Sequence, residues 1–581
     1  MLYKTNKNLA IIGCGPRGLS ALEHLYVNLF KANIDTPPTI IIFEQAKTLG
    51  SGQIYNTNQP DTNWLNISER ALTISARPEI TIGNVTIPGF KSYHDWIGKS
   101  ISDIKNSNHE VFPKRSKMGQ YLSQRYQSIA NPLIKNLWLT VVNETVYKVT
   151  YDKSLFYITT SNNKIYNANE VLLTIGHQDT KLSDQLQDWK THAKNNENIV
   201  LHTNTYPINN LLKTDFKHKA HQVGIRGFGL AMIDATRALC EANGGYFTVI
   251  DNKTHSMRYT KGSTPLVIIP FSLDGLPMAP KPLNPKVDQL FTPNDAQLLA
   301  FESEISSIAK TPDYTQGNLF IIEAMATITA NQFIALQNKA YPHTYDVTTL
   351  KQIITAYLKD DNFEHQLILS NKNAPEILLQ AFIDMATAQK PISLDYCLGQ
   401  VWRHCEPILY KVMSHCKLSS PNVKAVINLD ERMKRYAFGP PIESIQQLLA
   451  LSLAGTLDLN YVNNPDIITN SNGWTLRKDH QEQDVDIMIN SVLDSPELLK
   501  VTTPLVVNLL KDNIIKPIHT DLGIDTNTNG IVVSKSKALH IAILGRLAKG
   551  SVIGVDAILE CFGPRINDWA IGFINRLKKV D

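Results

Sequence analysis

Two glycine turns and one acidic residue carry the chemistry that can be read from this chain. In "NLAIIGCGPRGLSALEHLY", Gly13, Gly15 and Gly18 stand in G-x-G-x-x-G spacing between a short apolar strand and a helix with Leu19, Leu22 and Leu25 on one face. That spacing suits a dinucleotide: Gly13 permits the tight turn, Gly15 lets backbone approach a pyrophosphate, and Gly18 lets the helix pack closely on the strand. Pro16 and Arg17 occupy the helix N-terminus, where a phosphate would sit. The next apolar strand, "TIIIFEQ", ends on Glu44 and Gln45. A carboxylate there can bind both hydroxyls of an adenosine ribose.

The second turn lies in "HQVGIRGFGLAMIDATRALCEANGG". Gly227 and Gly229 hold the first two fingerprint positions and Met232 the third, with Leu230, Ile233 and Leu239 continuing the helical period to a stop at Gly244-Gly245. A bulky third residue weakens the close helix–strand approach but leaves the phosphate-facing backbone intact.

"GCGPRGLSALEHL", "GSGQIYNTNQPDTNWLNIS" and "FPKRSKMGQYL" resemble segments of the FAD/NAD(P)-binding family that includes flavin-dependent aspartate N-monooxygenases and a class of urate hydroxylases. The likeness continues at "NEVLLTIGHQ", whose Thr174-Ile175-Gly176 stands where Ala-Thr-Gly is usual. The resemblance implies FAD at the first turn, held by Gly13, Gly15, Pro16, Arg17, Gly18, Glu44, Gln45, Asn66, Gly119, Gly176, Gly545 and Gly550. Gly119 and Tyr121 match a glycine–tyrosine pair opening a helix, which reads equally as a helix start with a core tyrosine. Asn66 lies in the segment the family places beside the isoalloxazine, and on the residues alone it is equally a turn residue. The resemblance also implies a nicotinamide dinucleotide at the second turn, on Gly227, Gly229, Leu230 and Ser272. There the family carries G-x-G-L-x-x-x-D, with Asp234 as the acid. Arg258-Tyr259 and Ser272, Gly275, Leu276 and Pro277 match further motifs, but Leu273 replaces an arginine that would read a 2′-phosphate. NADPH is the expected reductant, with NADH open and with Lys281 or Arg226 as substitute readers.

The elements that must position these turns follow from periodicity. Strand, turn and helix recur at both ends of the chain, and residues 286–444 read as helices such as "NDAQLLAFESEISSIAK" and "LDYCLGQVWRHCEPILYKVMSHC" with almost no strand-like run. The expected fold is α/β, with two Rossmann-like dinucleotide-binding domains and a helical insertion. Residues 1–205 plus 485–581 form a discontinuous FAD-binding domain, 206–285 plus 445–484 an NAD(P)-binding domain, and 286–444 the insertion or substrate cap. "VDIMINSVLDSP" resembles the final core strand of such flavoproteins and falls within the first domain so bounded. Gly545, Gly550 and Gly554 precede a helix whose N-terminus the family turns towards the flavin. Phe438-Gly439-Pro440-Pro441 and the helix after it also occur in the family.

Composition narrows the remaining classes. The 581 residues suffice for about three to four domains, and a net charge of +4 without a basic, aromatic-rich tract does not favour nucleic acid. Six cysteines without a C-x-x-C pair suit free thiols in a reducing compartment. The start passes directly into a strand and no long apolar run occurs, so neither signal peptide nor membrane helix is expected and the cytoplasm is the expected location. His404-Cys405 and His415-Cys416 are eleven residues apart. On a helix that is about 16 Å, too far to share one ion, so no metal is expected.

Two dinucleotides in one chain imply hydride transfer from NAD(P)H to FAD, and the electrons then need a destination. Another redox protein is one. The resemblance implies O2, a C4a-hydroperoxyflavin and hydroxylation of a small polar metabolite, N-hydroxylation of an amino acid such as aspartate being the first choice and a heterocycle such as urate the second. For such a substrate, Arg403, Arg432 and Arg435 are candidate carboxylate partners, and His177 and Asn66 candidates beside the ring; each has a structural alternative. A flavin-binding regulator or scaffold without turnover is the competing class, and homo-oligomerisation stays open.

Overall fold

The computed structural model describes residues 7–105, 110–196, 199–493, 495–534 and 539–578. Two parallel sheets organise it. The first runs in the order Ile541–Ile543, Glu170–Leu173, Asn8–Ile12, Thr39–Phe43, Leu139–Val142, with every neighbouring pair parallel. These strands are mostly apolar because helices and loops cover both faces. The chain leaves Asn8–Ile12 to one side for Thr39–Phe43 and returns on the other as Glu170–Leu173, so the crevice where ligands bind opens between Asn8–Ile12 and Glu170–Leu173. The second sheet runs Val200–His202, Ile487–Asn490, His221–Arg226, Leu266–Phe271, again all parallel, and its crevice opens between His221–Arg226 and Ile487–Asn490.

The two units repeat one plan. An antiparallel three-stranded meander precedes the strand that returns to the sheet: Val146–Asp152, Leu155–Thr160 and Ile165–Ala168 in the first, Asp466–Asn470, Gly473–Lys478 and Gln481–Val485 in the second. The expected α/β fold with two dinucleotide-type units and a helical insertion is the fold observed. The strand Ile487–Asn490, read from the sequence as part of the first unit, belongs instead to the second sheet, as does Val200–His202. Four consecutive buried residues fit any covered parallel sheet, so the run could announce a core strand but not which sheet it would join.

Between Phe271 and Asp466 the described residues form no strand beyond isolated bridges. Helices Asp295–Ala309, Leu319–Ala335, Val347–Lys359, Pro375–Ala386, Leu394–Met413 and Ser420–Ala437 surround their own core, centred on Phe291, Phe333, Trp402 and Met433. The last helix of the run, Ile442–Leu453, packs Ile445, Leu448 and Leu451 into the core of the second unit. At the C-terminal end, the helix read directly after Gly554 is absent. A single 3-10 turn, Leu559–Phe562, precedes the helix Pro564–Lys578, which lies along Pro16–Lys31. Proline at the first helical position explains the later start. His415 likewise lies beyond the end of Leu394–Met413 in a left-handed conformation, so the two His-Cys pairs do not share one helix. No group of three or more metal-ligating side chains occurs among the described residues, and no helix there is long and apolar enough to cross a membrane.

A buried ion cluster joins the first helix to the helix Arg115–Lys135. Glu23 accepts from Arg77 at 2.7 Å and from Arg125 at 2.8 Å, and all three side chains are nearly inaccessible. Arg125 also donates to the Ser75 carbonyl at 2.8 Å, and Arg77 to the Pro88 carbonyl at 2.8 Å. Removing the carboxylate leaves two guanidiniums buried without a counter-charge. Glu23→Ala is therefore expected to destabilise the first unit by about 3–5 kcal/mol, read as a lower midpoint in urea unfolding followed by tryptophan fluorescence.

Candidate dinucleotide sites

Each glycine of the first turn answers to a particular neighbour. Gly13 has φ +89°, and a Cβ there would stand 2.7 Å from the Thr174 carbonyl oxygen of the returning strand. A Cβ on Gly18 would stand 2.7 Å from the Gly13 carbonyl, so the helix comes as close to the strand as expected. Gly15 also has a neighbour within the protein. Its side-chain direction meets the Cα of Gly52 at 3.4 Å, so the "GSG" loop at residues 50–52 lies across the turn. Gly50 ties that loop down by donating to the Cys14 carbonyl at 2.7 Å. No side chain caps the helix that begins at Pro16, which leaves first-turn N–H groups for an anion.

Glu44 stands at the mouth of the same turn. Its carboxylate accepts from the backbone N–H of Cys14 at 2.8 Å and of Ala46 at 2.9 Å. One bond to each oxygen orients the group and leaves lone pairs for ribose hydroxyls. Gln45 is exposed and accepts from the Thr145 hydroxyl at 2.9 Å. Across the crevice, Gly176 has φ +65° and its side-chain direction meets nothing within 4 Å. It therefore opens onto free space where Gly13 and Gly18 close onto protein. Arg17 reaches the Val555 carbonyl, crosses Gly545 and lines a cavity of about 20 Å³ together with Leu544, Gly545, Glu560 and Arg565. These residues fit FAD: uncapped donors for the pyrophosphate, an oriented carboxylate for the ribose and an open glycine at the crevice.

The remaining expected flavin residues divide. Asn66 donates to the Phe438 carbonyl at 3.2 Å and so joins the first unit to the Phe438-Gly439-Pro440-Pro441 segment. His177 is exposed, and partial desolvation together with the nearby guanidiniums of Arg546 and Arg17 holds its imidazole down at about 4. Gly119 and Gly550 are packing glycines. A Cβ would stand 1.8 Å from the Tyr55 carbonyl at the first and 2.6 Å from Ile518 at the second.

The second turn repeats the first with one change. Gly227 has φ +121° and faces Ser491 at 2.8 Å, while Gly229 begins the uncapped helix Leu230–Ala242. Met232 is wholly buried in the core of that unit, its sulfur 3.2 Å from the Thr236 hydroxyl, so its bulk goes inward and leaves the turn's backbone free. Ser272 shapes its own loop: its hydroxyl accepts from Gly275 N–H at 3.0 Å and donates to the Asp274 carboxylate at 3.4 Å. Leu273 beside it is 87% exposed. Neither proposed substitute stands free. Lys281, pulled down to about 7 by burial and by Arg403 nearby, donates to the Gly439 carbonyl at 2.6 Å. Arg226 spans to Asn490 at 2.9 Å and to Gln185 at 3.1 Å.

The arginines expected for a substrate carboxylate do not converge. Arg403 pairs with Asp288, Arg435 with Asp274, and Arg432 with Asp361 at 2.7 Å while donating to the Tyr357 carbonyl at 2.8 Å. The first and third of these pairs lie within the insertion, and the second joins it to the second unit. The charges grouped with His177 are different ones: Asp556 accepts from Arg546 at 2.9 Å and from Lys434 at 2.9 Å, and Lys434 lies 5.1 Å from the Phe438 ring centre. Composition hides such a group, because its members come from three distant segments.

Sequence reasoning also missed what holds the two turns together. Asp234, one turn into the second helix, accepts from Arg115 at 2.8 Å and from the Tyr206 hydroxyl at 2.7 Å. Arg237, one turn further, donates to the Thr62 carbonyl at 2.6 Å and stacks 3.9 Å from the centre of the Trp64 ring. Only the G-x-G-L-x-x-x-D spacing marked Asp234, and it carried no hint of a partner 119 residues away.

The first turn offers a direct check. Gly13→Ala adds a methyl where no atom fits and a φ that alanine rarely adopts, so the purified variant is expected to have lost bound flavin. Gly176→Ala, strained but unobstructed, should retain a measurable fraction. Absorbance near the flavin band against protein concentration measures both.

Residues 10–178 match the model of the family described as FAD-NAD(P)-binding. No curated protein matches the chain. Among solved structures, the chain is similar to the ornithine hydroxylase PvdA from Pseudomonas aeruginosa, at 10% identity and a TM-score of 0.45 over 99% of this chain and 100% of that one. It is also similar to OTEMO in complex with FAD and NADP, at 11% identity and 0.45 over 98% and 86% of the two chains. A cyclohexanone monooxygenase mutant from Rhodococcus sp. Phi1 bound to NADP+ gives 10% and 0.44 over 99% and 86%. Likenesses of that size are too low to transfer an activity. The first glycine turn, Glu44 and the strand ending before Gly176 thus all lie within a segment that matches the FAD-NAD(P)-binding family.

Proposed function

We propose that the chain is an FAD-dependent, NAD(P)H-consuming monooxygenase that hydroxylates a small polar metabolite with O2, an amino acid such as aspartate being the substrate and its amine the site. One observation carries this reading: two uncapped glycine turns stand, each at the carboxyl edge of a parallel sheet, on units that the Arg115–Asp234 ion pair ties together. A single-dinucleotide protein has no use for that arrangement. When bound, FAD and the reduced nicotinamide dinucleotide supply the redox chemistry, two electrons passing to O2 with one oxygen atom going to substrate and one to water.

The chain's part is binding and placement. The backbone donors of the two turns hold the pyrophosphates, and Glu44 holds the ribose of FAD. Met232 supports the second turn from below. A polar substrate is supported by the charges grouped with His177, namely Arg546, Asp556 and Lys434. An amine that attacks an electrophilic oxygen must be unprotonated, and a carboxylate beside it needs a cation.

Leu273 favours a second reading, a flavin-binding regulator without turnover. An exposed leucine occupies the position of a phosphate-reading arginine, and the Asp274 carboxylate follows it.

The two readings separate on the purified protein. A monooxygenase should be yellow, should oxidise NADPH or NADH faster with aspartate or another amino acid present, and should yield a product one oxygen atom heavier by mass spectrometry. Urate in the same panel checks the heterocycle alternative. Bound FAD that neither dinucleotide reduces would establish the regulator instead.

A further inference from the structure

The ion cluster at the meeting of the two units is built more heavily than a surface contact needs. Asp234 is 4% exposed and Arg237 6%. Arg115 holds the carboxylate with one nitrogen and the Trp64 carbonyl with another, at 3.1 Å, while its own backbone N–H donates to the Asn63 carbonyl at 2.9 Å. Arg237 continues to Ser444 at 2.7 Å and Gln447 at 2.8 Å on the helix Ile442–Leu453. Two units meet on one carboxylate: Arg115 of the first, which also holds the 58–66 segment, and, from the second, the glycine-turn helix and Tyr206 in the connection from Val200–His202 to His221–Arg226.

The sequence positions at either end of this cluster give it a consequence. Asp234 lies five residues after Gly229, on the helix whose start is the second dinucleotide turn. Trp64 lies two residues before Asn66, which reaches across to Phe438. A shift at Asp234 therefore moves the second turn relative to the segment bearing Asn66. Hydride transfer depends steeply on such a shift, because reacting atoms must come within about 3–3.5 Å.

We infer that Arg115, Tyr206 and Asp234 are positioning residues that set the distance and angle between the two dinucleotides, and so govern the reductive half of the reaction without touching either cofactor. This rests on the monooxygenase reading above. The hydride leaves the reduced nicotinamide with its electron pair and is taken up by oxidised flavin, the nicotinamide becoming the cation.

Tyr206→Phe removes one hydrogen bond and keeps the ion pair; Asp234→Asn keeps the shape and removes the charge. Both are compared with the wild-type holoenzyme by anaerobic stopped flow. Flavin reduction by NAD(P)H should slow by about tenfold to a hundredfold in Asp234→Asn and less in Tyr206→Phe. Reoxidation of dithionite-reduced flavin by O2 should be unchanged in both. Without cofactors, amide hydrogen exchange across residues 58–66 should be faster in both variants, while Asn8–Ile12 keeps its protection. FAD-retaining variants that reduce at the wild-type rate would overturn the inference, as would equal slowing of both half-reactions. If Asp234→Asn fails to fold, Tyr206→Phe decides alone. A wild-type flavin that neither dinucleotide reduces would instead overturn the functional reading beneath it.

Discussion

One buried carboxylate constrains this molecule more than any other group. Asp234 lies between two guanidiniums and a phenol, and its partners come from different units. A charge removed from water is held only by partners in good geometry, and taking one away leaves the others uncompensated. The two sheets therefore cannot slide relative to one another without breaking bonds that no solvent replaces.

Within each unit the constraint is steric. Gly13 and Gly227 take backbone angles open to glycine and press against Thr174 and Ser491, on or just beyond the strand across each crevice. The same closeness that rejects a side chain brings strand end and helix start together, which concentrates unpaired backbone donors at one point. Met232 shows which part of the fingerprint is negotiable. Its position faces the core of the second unit, where a long flexible side chain finds room beside Thr236, whereas Gly227 has none.

The insertion adds a third kind of order. Its helices have their own apolar core, yet its polar residues are used at the border: Lys281 on the Gly439 carbonyl, Arg403 and Arg70 on Asp288, and Lys434 on Asp556. The last of these brings the insertion to the group around His177. A cap built this way lends charge to a site that belongs to another part of the chain.

Local patterns carried a good deal of this. The strand–turn–helix units, the strand ending at Glu44 and the helical texture of the insertion are all written in spacing and periodicity, because backbone geometry depends on neighbours in sequence. Assignments that depended on distant partners fared differently. Ile487–Asn490 joined the other sheet, Gly119 and Gly550 proved to be packing glycines, and the three arginines chosen for a substrate turned to Asp288, Asp361 and Asp274. What an arginine binds is decided by which carboxylate folding brings within reach, and spacing along the chain does not encode that distance. The glycine turns and their chemistry thus belong to the amino-acid order. The way the turns are held together, through Arg115, Tyr206 and Asp234, exists only once three remote segments are buried around one charge.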